Sequence, residues 1–203
     1  MICLLCAKQW TPLPTWKQLL LLERPPSVCP SCFSTFTPYP EEKITLDCGL
    51  KVYVLYTYDE SMQRALYQYK GRQDVALASF FSSIVARWIT RRRYDRVVPI
   101  PAHPDNVKRR TFAHIDAILD AAHIRYDHVL RKTTSERMSE KNREERLAYR
   151  QLFAPIVSKV SADDTYLLVD DVVTTGHTLC QAAEVLHRLG AQEVEALAIS
   201  RPL

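Results

Sequence analysis

Three kinds of pattern recur along the chain. Short apolar or β-branched runs stand at residues 50–58, 96–101, 166–169 and 194–201. Each is bounded by charged or turn-forming residues, so each predicts a strand. Residues 166–169, Tyr-Leu-Leu-Val, show no alternation, as expected of a parallel strand covered on both faces. Apolar positions at helical spacing (Leu77, Phe80, Phe81, Ile84, Val85, Trp88, Ile89) predict a helix over 75–92 with its aromatic stripe in the core. Shorter helices are predicted from Asp59-Glu60 through Ala65 and Tyr69 to a stop at Gly71, and over 111–122. Another runs from about Thr178 to Leu189, with Gly190 as its C′ residue. A short strand is expected at 126–130. Residues 131–146 are polar and poorly patterned, and 147–153 read as an ordered continuation.

Strands alternating with helices predict an α/β body around a mainly parallel sheet, with the 166–169 strand central. The length of 203 residues and the apolar share of 47% fit one domain plus a small appendage. No run reaches the roughly 18 apolar residues that would span a bilayer. Met1-Ile2-Cys3 does not begin a basic segment followed by an apolar stretch, so neither a signal peptide nor a transmembrane segment is expected. A cytoplasmic protein follows. The net charge of +4 is unevenly spread. Residues 87–110 carry eight Lys/Arg against two Asp, 131–150 carry seven against four Glu, and the first fifty carry four of each sign. The basic excess belongs to the larger domain, where it can serve a polyphosphate, a nucleic-acid backbone or solubility.

The six cysteines divide into two CxxC pairs and two single residues. Cys3 and Cys6 are separated from Cys29 and Cys32 by 22 residues, a spacing that lets two turns grip one tetrahedral metal. Structural Zn²⁺ is the expected occupant, and residues 1–44 are expected to form a metal-held module ahead of a domain at 45–203. Trp10, Trp16 and the leucines at 19–22 would cluster around that metal, since about forty residues cannot bury enough surface alone. Residues 37–42 read as a linker or the module's end. Cys48 and Cys180 stand alone, and each reads as a small buried apolar residue. A reducing compartment argues against disulfides.

The chemistry concentrates where the 166–169 strand ends. Asp170-Asp171-Val172-Val173-Thr174-Thr175-Gly176-His177-Thr178 places two acids at a strand's carboxyl end, then a Thr/Gly loop that opens a helix. Free backbone N–H groups and a partial positive charge at a helix N-terminus suit a phosphate. Thr174, Thr175 and Thr178 add hydroxyl donors, and Gly176 allows close approach or positive φ. Two acids would repel a phosphate if they faced it. They suit sugar hydroxyls or Mg²⁺ instead, and a diol beside a phosphate describes a ribose 5-phosphate. A Walker A loop is excluded by the missing Gly-Lys-Ser/Thr ending.

This stretch resembles the phosphoribosyl-pyrophosphate (PRPP) motif of the type I phosphoribosyltransferases. The resemblance implies PRPP bound with Mg²⁺ across residues 170–178, Asp170 and Asp171 acting catalytically on the ribose hydroxyls, and pyrophosphate held after the 96–101 strand, where Lys108, Arg109 and Arg110 are suitable anion ligands. It also implies a mobile loop near 131–146 that closes over the site. His103 and His114 lack metal-ligand spacing and read as surface or hydrogen-bonding groups.

A four-Cys module joined to a PRPP motif resembles the ComF family, also called GntX. Tyr69-Lys70-Gly71-Arg72, Val97-Val98-Pro99-Ile100-Pro101 and Ala198-Ile199-Ser200-Arg201 support the likeness. That family usually has Arg-Gly-Phe-Asn-Gln where this chain has Arg110-Thr111-Phe112-Ala113-His114, and a Gln in place of Met138. The resemblance implies a competence protein acting in natural transformation and DNA uptake. It would handle imported single-stranded DNA beside a ComFA-type helicase, in the cytoplasm or held at the inner face of the membrane through partners. The alternative is an active phosphoribosyltransferase of nucleotide metabolism with an unidentified acceptor.

Overall fold

The computed structural model describes residues 1–12, 16, 20, 26–133 and 152–203. A single-turn helix, α1 (Pro30–Phe33), follows Cys29. β1 (Lys43–Thr45) turns back antiparallel into β2 (Lys51–Thr57). α2 (Glu60–Leu66) starts at Asp59, whose Oδ1 accepts from the Met62 N–H at 3.0 Å. It continues as a π-helical turn over Tyr67–Gly71 rather than as the α-helix expected to Tyr69. A 3₁₀ turn (Val75–Leu77) leads into α3 (Ala78–Ile89), then come β3 (Arg96–Pro99), α4 (Pro104–Arg110) and α5 (His114–Ala121). β4 (Leu130–Lys132) and β5 (Phe153–Pro155) form an antiparallel pair. β6 (Thr165–Val172), α6 (His177–Leu189) and β7 (Glu193–Arg201) complete the order.

The five-stranded sheet runs β1-β2-β7-β6-β3, with every pairing parallel except β1 with β2. β6 is interior, between β7 and β3, while β7 takes the middle place. Its side chains alternate between the two faces, as strand geometry requires. Leu167 and Val169 join Met62, Phe81, Val85 and Ile118 on one face, whereas Tyr166 and Leu168 join Leu179, Ala182 and Leu186 of α6 on the other. Both faces being covered accounts for the unbroken apolar run.

Several expectations shift. Residues 104–110, for which no helix was expected, form one, because His103 Nδ1 caps it by accepting from the Asp105 N–H at 3.3 Å and Pro104 opens its first turn. The strand expected at 126–130 is displaced to β4, and the Asp127 N–H instead donates to Val97 O at 2.9 Å. Residues 37–42, read as a linker or the module's end, are bonded to β2: the Thr57 N–H donates to Thr37 O at 2.8 Å and the Tyr39 N–H to Leu55 O at 3.1 Å. β1 straddles the expected boundary at 44/45. Trp16 and Leu20 stand 64% and 63% exposed, and the rest of 19–22 lies outside the described residues. Most of the polar 131–146 segment, with Met138, lies outside them too.

Cys48 and Cys180 are the clearest correction. They are joined in a disulfide with Cα atoms 6.1 Å apart, although 132 positions separate them in sequence. Cys48 is exposed and Cys180 half-buried, so neither is a core residue. The bond ties the β1–β2 turn to the first turn of α6.

Thr111 ends α4 at φ +67, a left-handed conformation that a β-branched residue adopts only at a cost. Thr111→Gly is expected to raise stability by about 0.5–1 kcal/mol, the strain relieved being partly offset by the entropy of the unfolded glycine. A urea midpoint that moves up at unchanged slope is the predicted reading, and an unchanged midpoint would remove the strain argument.

Candidate functional site

The strand alternation that builds the core also separates the two acids. Asp171 follows Leu167 and Val169 toward the α2/α5 face, and Asp170 follows Tyr166 and Leu168 toward α6. Both are buried, at 8% and 6% exposure for Asp170 and Asp171. Asp170 Oδ1 accepts from the Asp171 N–H at 2.9 Å, and Asp171 Oδ1 from the Val172 N–H at 2.9 Å. The π-helical turn delivers Lys70, whose ammonium pairs with Asp171 Oδ2. His114, at the start of α5, brings Nε2 to 3.8 Å from Asp171 Oδ1, while the Tyr69 hydroxyl donates to His114 O at 2.5 Å.

These neighbours push the two carboxyls in opposite directions. Burial, reinforced by the charge of Asp171, raises Asp170 well above the usual carboxylate range. Burial would do the same to Asp171, but Lys70 and His114 overcome it and hold that carboxyl well below its usual range. The two carboxyls are thus pushed apart, Asp170 toward its acid form and Asp171 toward its anion. His114, Asp170 and Asp171 also present ligand atoms within 4.8 Å of one another, so the three could hold a cation. Of the two readings of His114, surface or hydrogen-bonding group, the structure fits the second: it is buried and faces Asp171. Lys70 was legible only as part of Tyr-Lys-Gly-Arg, because its partner lies 101 positions away.

The loop beyond the acids divides between fold and ligand. Val173 is buried and its N–H donates to Ser200 O at 3.0 Å, so it anchors the loop and offers no donor to a ligand. Val172 is half-buried. Thr174 and Thr175 are exposed, Thr178 is half-buried, and the His177 N–H reaches Thr175 Oγ1 at 3.4 Å. No side chain caps α6. Its cap residue is Gly176 at φ +77, and a Cβ there would stand 2.3 Å from Leu46 Cδ1. What remains is a thirteen-residue helix with an open N-terminus flanked by hydroxyls, a geometry suited to a phosphate. Gly176→Ala meets both the positive φ and Leu46, and is expected to destabilise the fold by about 2–4 kcal/mol. Leu46→Ala in the same chain should recover the steric part; additive losses in thermal unfolding would show that the two residues do not press on each other.

Lys108 and Arg109 lie exposed on α4, just beyond β3. Arg109 Nη2 donates to Asn106 Oδ1 at 3.2 Å, and neither cation is bonded to Asp170 or Asp171. Arg110 is the half-buried member of the three, with an unpartnered, buried Nε.

A second group of ligands stands at the other end of the chain. The Sγ atoms of Cys3, Cys6, Cys29 and Cys32 all lie within 4.8 Å of one another. Cys6 Sγ and Cys29 Sγ are 3.9 Å apart, close to the ~3.8 Å edge of a tetrahedron with metal–sulfur bonds of about 2.3 Å. Burial opposes charge on Cys3, yet N–H donors, the Cys29 amide foremost, bring its thiol down to about 6. Burial and the neighbouring sulfurs push Cys32 up. Four crowded sulfurs cannot all shed their protons without a cation among them, so this set could hold a metal ion.

The phosphoribosyl transferase domain family model matches residues 117–201, from α5 to the end of β7. Competence protein ComFC of Streptococcus pneumoniae (strain ATCC BAA-255 / R6) is 31% identical over 221 residues, covering 99% of this chain and 100% of that protein. The chain belongs to the ComFC family of competence proteins. The Bacillus subtilis (strain 168) ComFC is 27% identical over 218 residues, spanning 94% of this chain and 90% of its own. A 43-residue segment, 21% of the chain, is 44% identical to adenine phosphoribosyltransferase 1 of Triticum aestivum. A ComFC-type chain thus combines a phosphoribosyltransferase fold with a four-cysteine group, and among its described residues no helix is long and apolar enough to cross a membrane.

Proposed function

We propose that this ComFC-family protein acts in natural transformation by handling imported single-stranded DNA, with a phosphoribosyltransferase-type pocket that binds PRPP. The observation that carries the pocket is the uncapped N-terminus of α6, with Thr174, Thr175 and Thr178 around it, next to the buried pair Asp170 and Asp171. The 5-phosphate would take the loop, and the carboxyls would take the ribose hydroxyls. Mg²⁺, arriving with PRPP, would offset the pyrophosphate charge, and Lys108 and Arg109 stand on the helix beyond β3 as anion ligands. The cysteine group is read as a structural Zn²⁺ site. We place the protein in the cytoplasm, at the inner face of the membrane through a ComFA-type helicase partner.

A surface for the DNA strand is supported by the end of α3. Arg87, Arg91 and Arg92 line a groove of about 290 Å³ with Trp88, Tyr56 and Phe33. The Arg92 guanidinium lies 4.0 Å from the Trp88 ring centre. Cations that follow a backbone, interleaved with rings on which bases stack, are the elements of sequence-tolerant strand binding. Anisotropy of a labelled oligothymidylate, titrated at several salt concentrations, tests this. Affinity should fall with salt at a log–log slope of about −0.7 per phosphate contact, and Arg87→Glu with Arg91→Glu should flatten that slope. Binding that ignores salt, or that the double variant leaves intact, would remove the strand-binding role from this surface.

A further inference from the structure

The Cys48–Cys180 disulfide joins two parts of the molecule that already touch. Cys48 lies in the β1–β2 turn, which is closed by the Leu46 N–H to Leu50 O at 3.0 Å and the Gly49 N–H to Leu46 O at 2.8 Å. Cys180 lies in the first turn of α6, and its N–H donates to Gly176 O at 2.9 Å. Two residues before Cys48, Leu46 fills the space where a Cβ of Gly176 would stand. The phosphate loop is therefore held against the turn twice, by the Leu46 side chain and by the sulfur–sulfur bond. Both cysteines line a cavity of about 810 Å³ beside His177 and Gln181, and Cys48 is exposed, which gives a reductant an approach to the bond.

We propose that Cys48 and Cys180 form a reversible dithiol–disulfide pair that sets the rigidity of the Thr174–Thr178 loop. A disulfide in a protein that works in a reducing compartment serves as a transient redox element far more often than as a permanent staple. In the forward step a thiolate of a dithiol reductant attacks the sulfur of Cys48, the more exposed of the two residues, and displaces Cys180 as thiolate. The partial positive charge at the start of α6 favours that leaving group. The second thiol of the reductant then attacks the mixed disulfide. The reductant leaves as its own disulfide, and Cys48 and Cys180 are left as two thiols, having gained two electrons and two protons. Reduction removes the sulfur–sulfur tie and leaves the Leu46 side chain against Gly176, so the loop opens more often and holds a phosphate less well.

The second readout of the following test rests on the phosphate reading above; the first does not. Metal-loaded protein is equilibrated in buffers of graded reduced and oxidised dithiothreitol, quenched in acid and alkylated, and the labelled peptides are identified by mass. Amide exchange of residues 173–178 is followed in the two forms, and PRPP with Mg²⁺ is titrated into each. The expected result is reversible labelling at Cys48 and Cys180. Exchange in the loop should be about tenfold faster when reduced, with PRPP bound about tenfold more weakly. The Cys48→Ser/Cys180→Ser variant should match the reduced protein under both conditions. A pair that never oxidises, or identical loop exchange in the two forms, overturns the inference. Loop exchange that responds to reduction while neither form binds PRPP would leave the switch standing and remove the phosphate reading instead.

Discussion

Stripping the metal from the four cysteines should unfold the amino-terminal module and loosen the face of the domain beneath it. Among the described residues the module has little regular structure of its own: one bridge between Ile2 and Gln9, and the single-turn α1 without a side-chain cap. Its buried residues Cys3, Val28, Cys29 and Phe36 belong to the same core as Met62, Phe80 and Phe81. Phe36 lies 5.1 Å from Phe80 and 6.2 Å from Tyr56 between ring centres, and Gln68 Nε2 donates to Leu4 O at 2.8 Å. Loss of the metal therefore uncovers part of the domain core as well. Structural zinc in small modules contributes on the order of 10 kcal/mol of apparent binding energy, most of it expressed as folding. A strong chelator should raise amide exchange throughout residues 1–12 and 26–36 and lower the melting temperature of the whole chain. Cys6→Ser should do the same without chelator. Unchanged exchange after complete metal removal, measured by elemental analysis, would mean that the sulfurs pack without needing an ion.

The second large effect comes from the acidic pair, and its two members should respond in opposite ways. Asp171→Asn leaves the Lys70 ammonium, only 22% exposed in its side chain, without its carboxylate, at a cost of about 2 kcal/mol. Asp170→Asn removes a carboxyl whose ionised form burial and Asp171 disfavour, and the amide oxygen can still accept from the Asp171 N–H, so the change should be neutral or stabilise by about 1 kcal/mol. The pH dependence follows from the directions of the shifts. Asp171 is held low in the fold, so its stabilisation is present above the unfolded value near 3.9 and is lost as pH falls toward its folded value. Asp170 is held high, so its stabilisation is complete below about 3.9 and is lost as pH rises through its folded value. Denaturant unfolding from pH 3 to 7 should therefore show Asp170→Asn gaining on the wild type as pH rises and Asp171→Asn falling behind it. Parallel curves for both variants would refute the division of charge between them.

How far the sequence foretold this site depended on whether its partners are neighbours in the chain. Residues 166–178 carry strand, acids, loop and helix in one stretch, so an unbroken apolar run followed by turn-forming residues was enough to place those elements. The two CxxC pairs were equally plain, since a thiolate spacing needs no tertiary knowledge. Lys70 and His114 could not be found that way, because only the crossing of the π-helical turn and α5 over the end of β6 brings them to Asp171. The Cys48–Cys180 bond was hidden for the same reason, and the argument from a reducing compartment pointed away from it. The helix at 104–110 was missed because a basic run reads as a loop, whereas His103 and Pro104 supply a start signal that outweighs it. Thr111 shows the converse: only its φ of +67 reveals that a glycine would suit this position better than the threonine present.

Calorimetric titration of the metal-loaded protein with PRPP and Mg²⁺, repeated on the Asp170→Asn/Asp171→Asn variant, tests the central claim most directly. Micromolar binding to the wild type, weakened at least about a hundredfold in a variant that keeps its fold, is the predicted result; a hundredfold corresponds to about 2.7 kcal/mol, the scale of hydrogen bonds to charged groups. No heat of binding from folded wild-type protein, or equal affinity in the variant, would contradict a phosphoribosyl site at the end of β6.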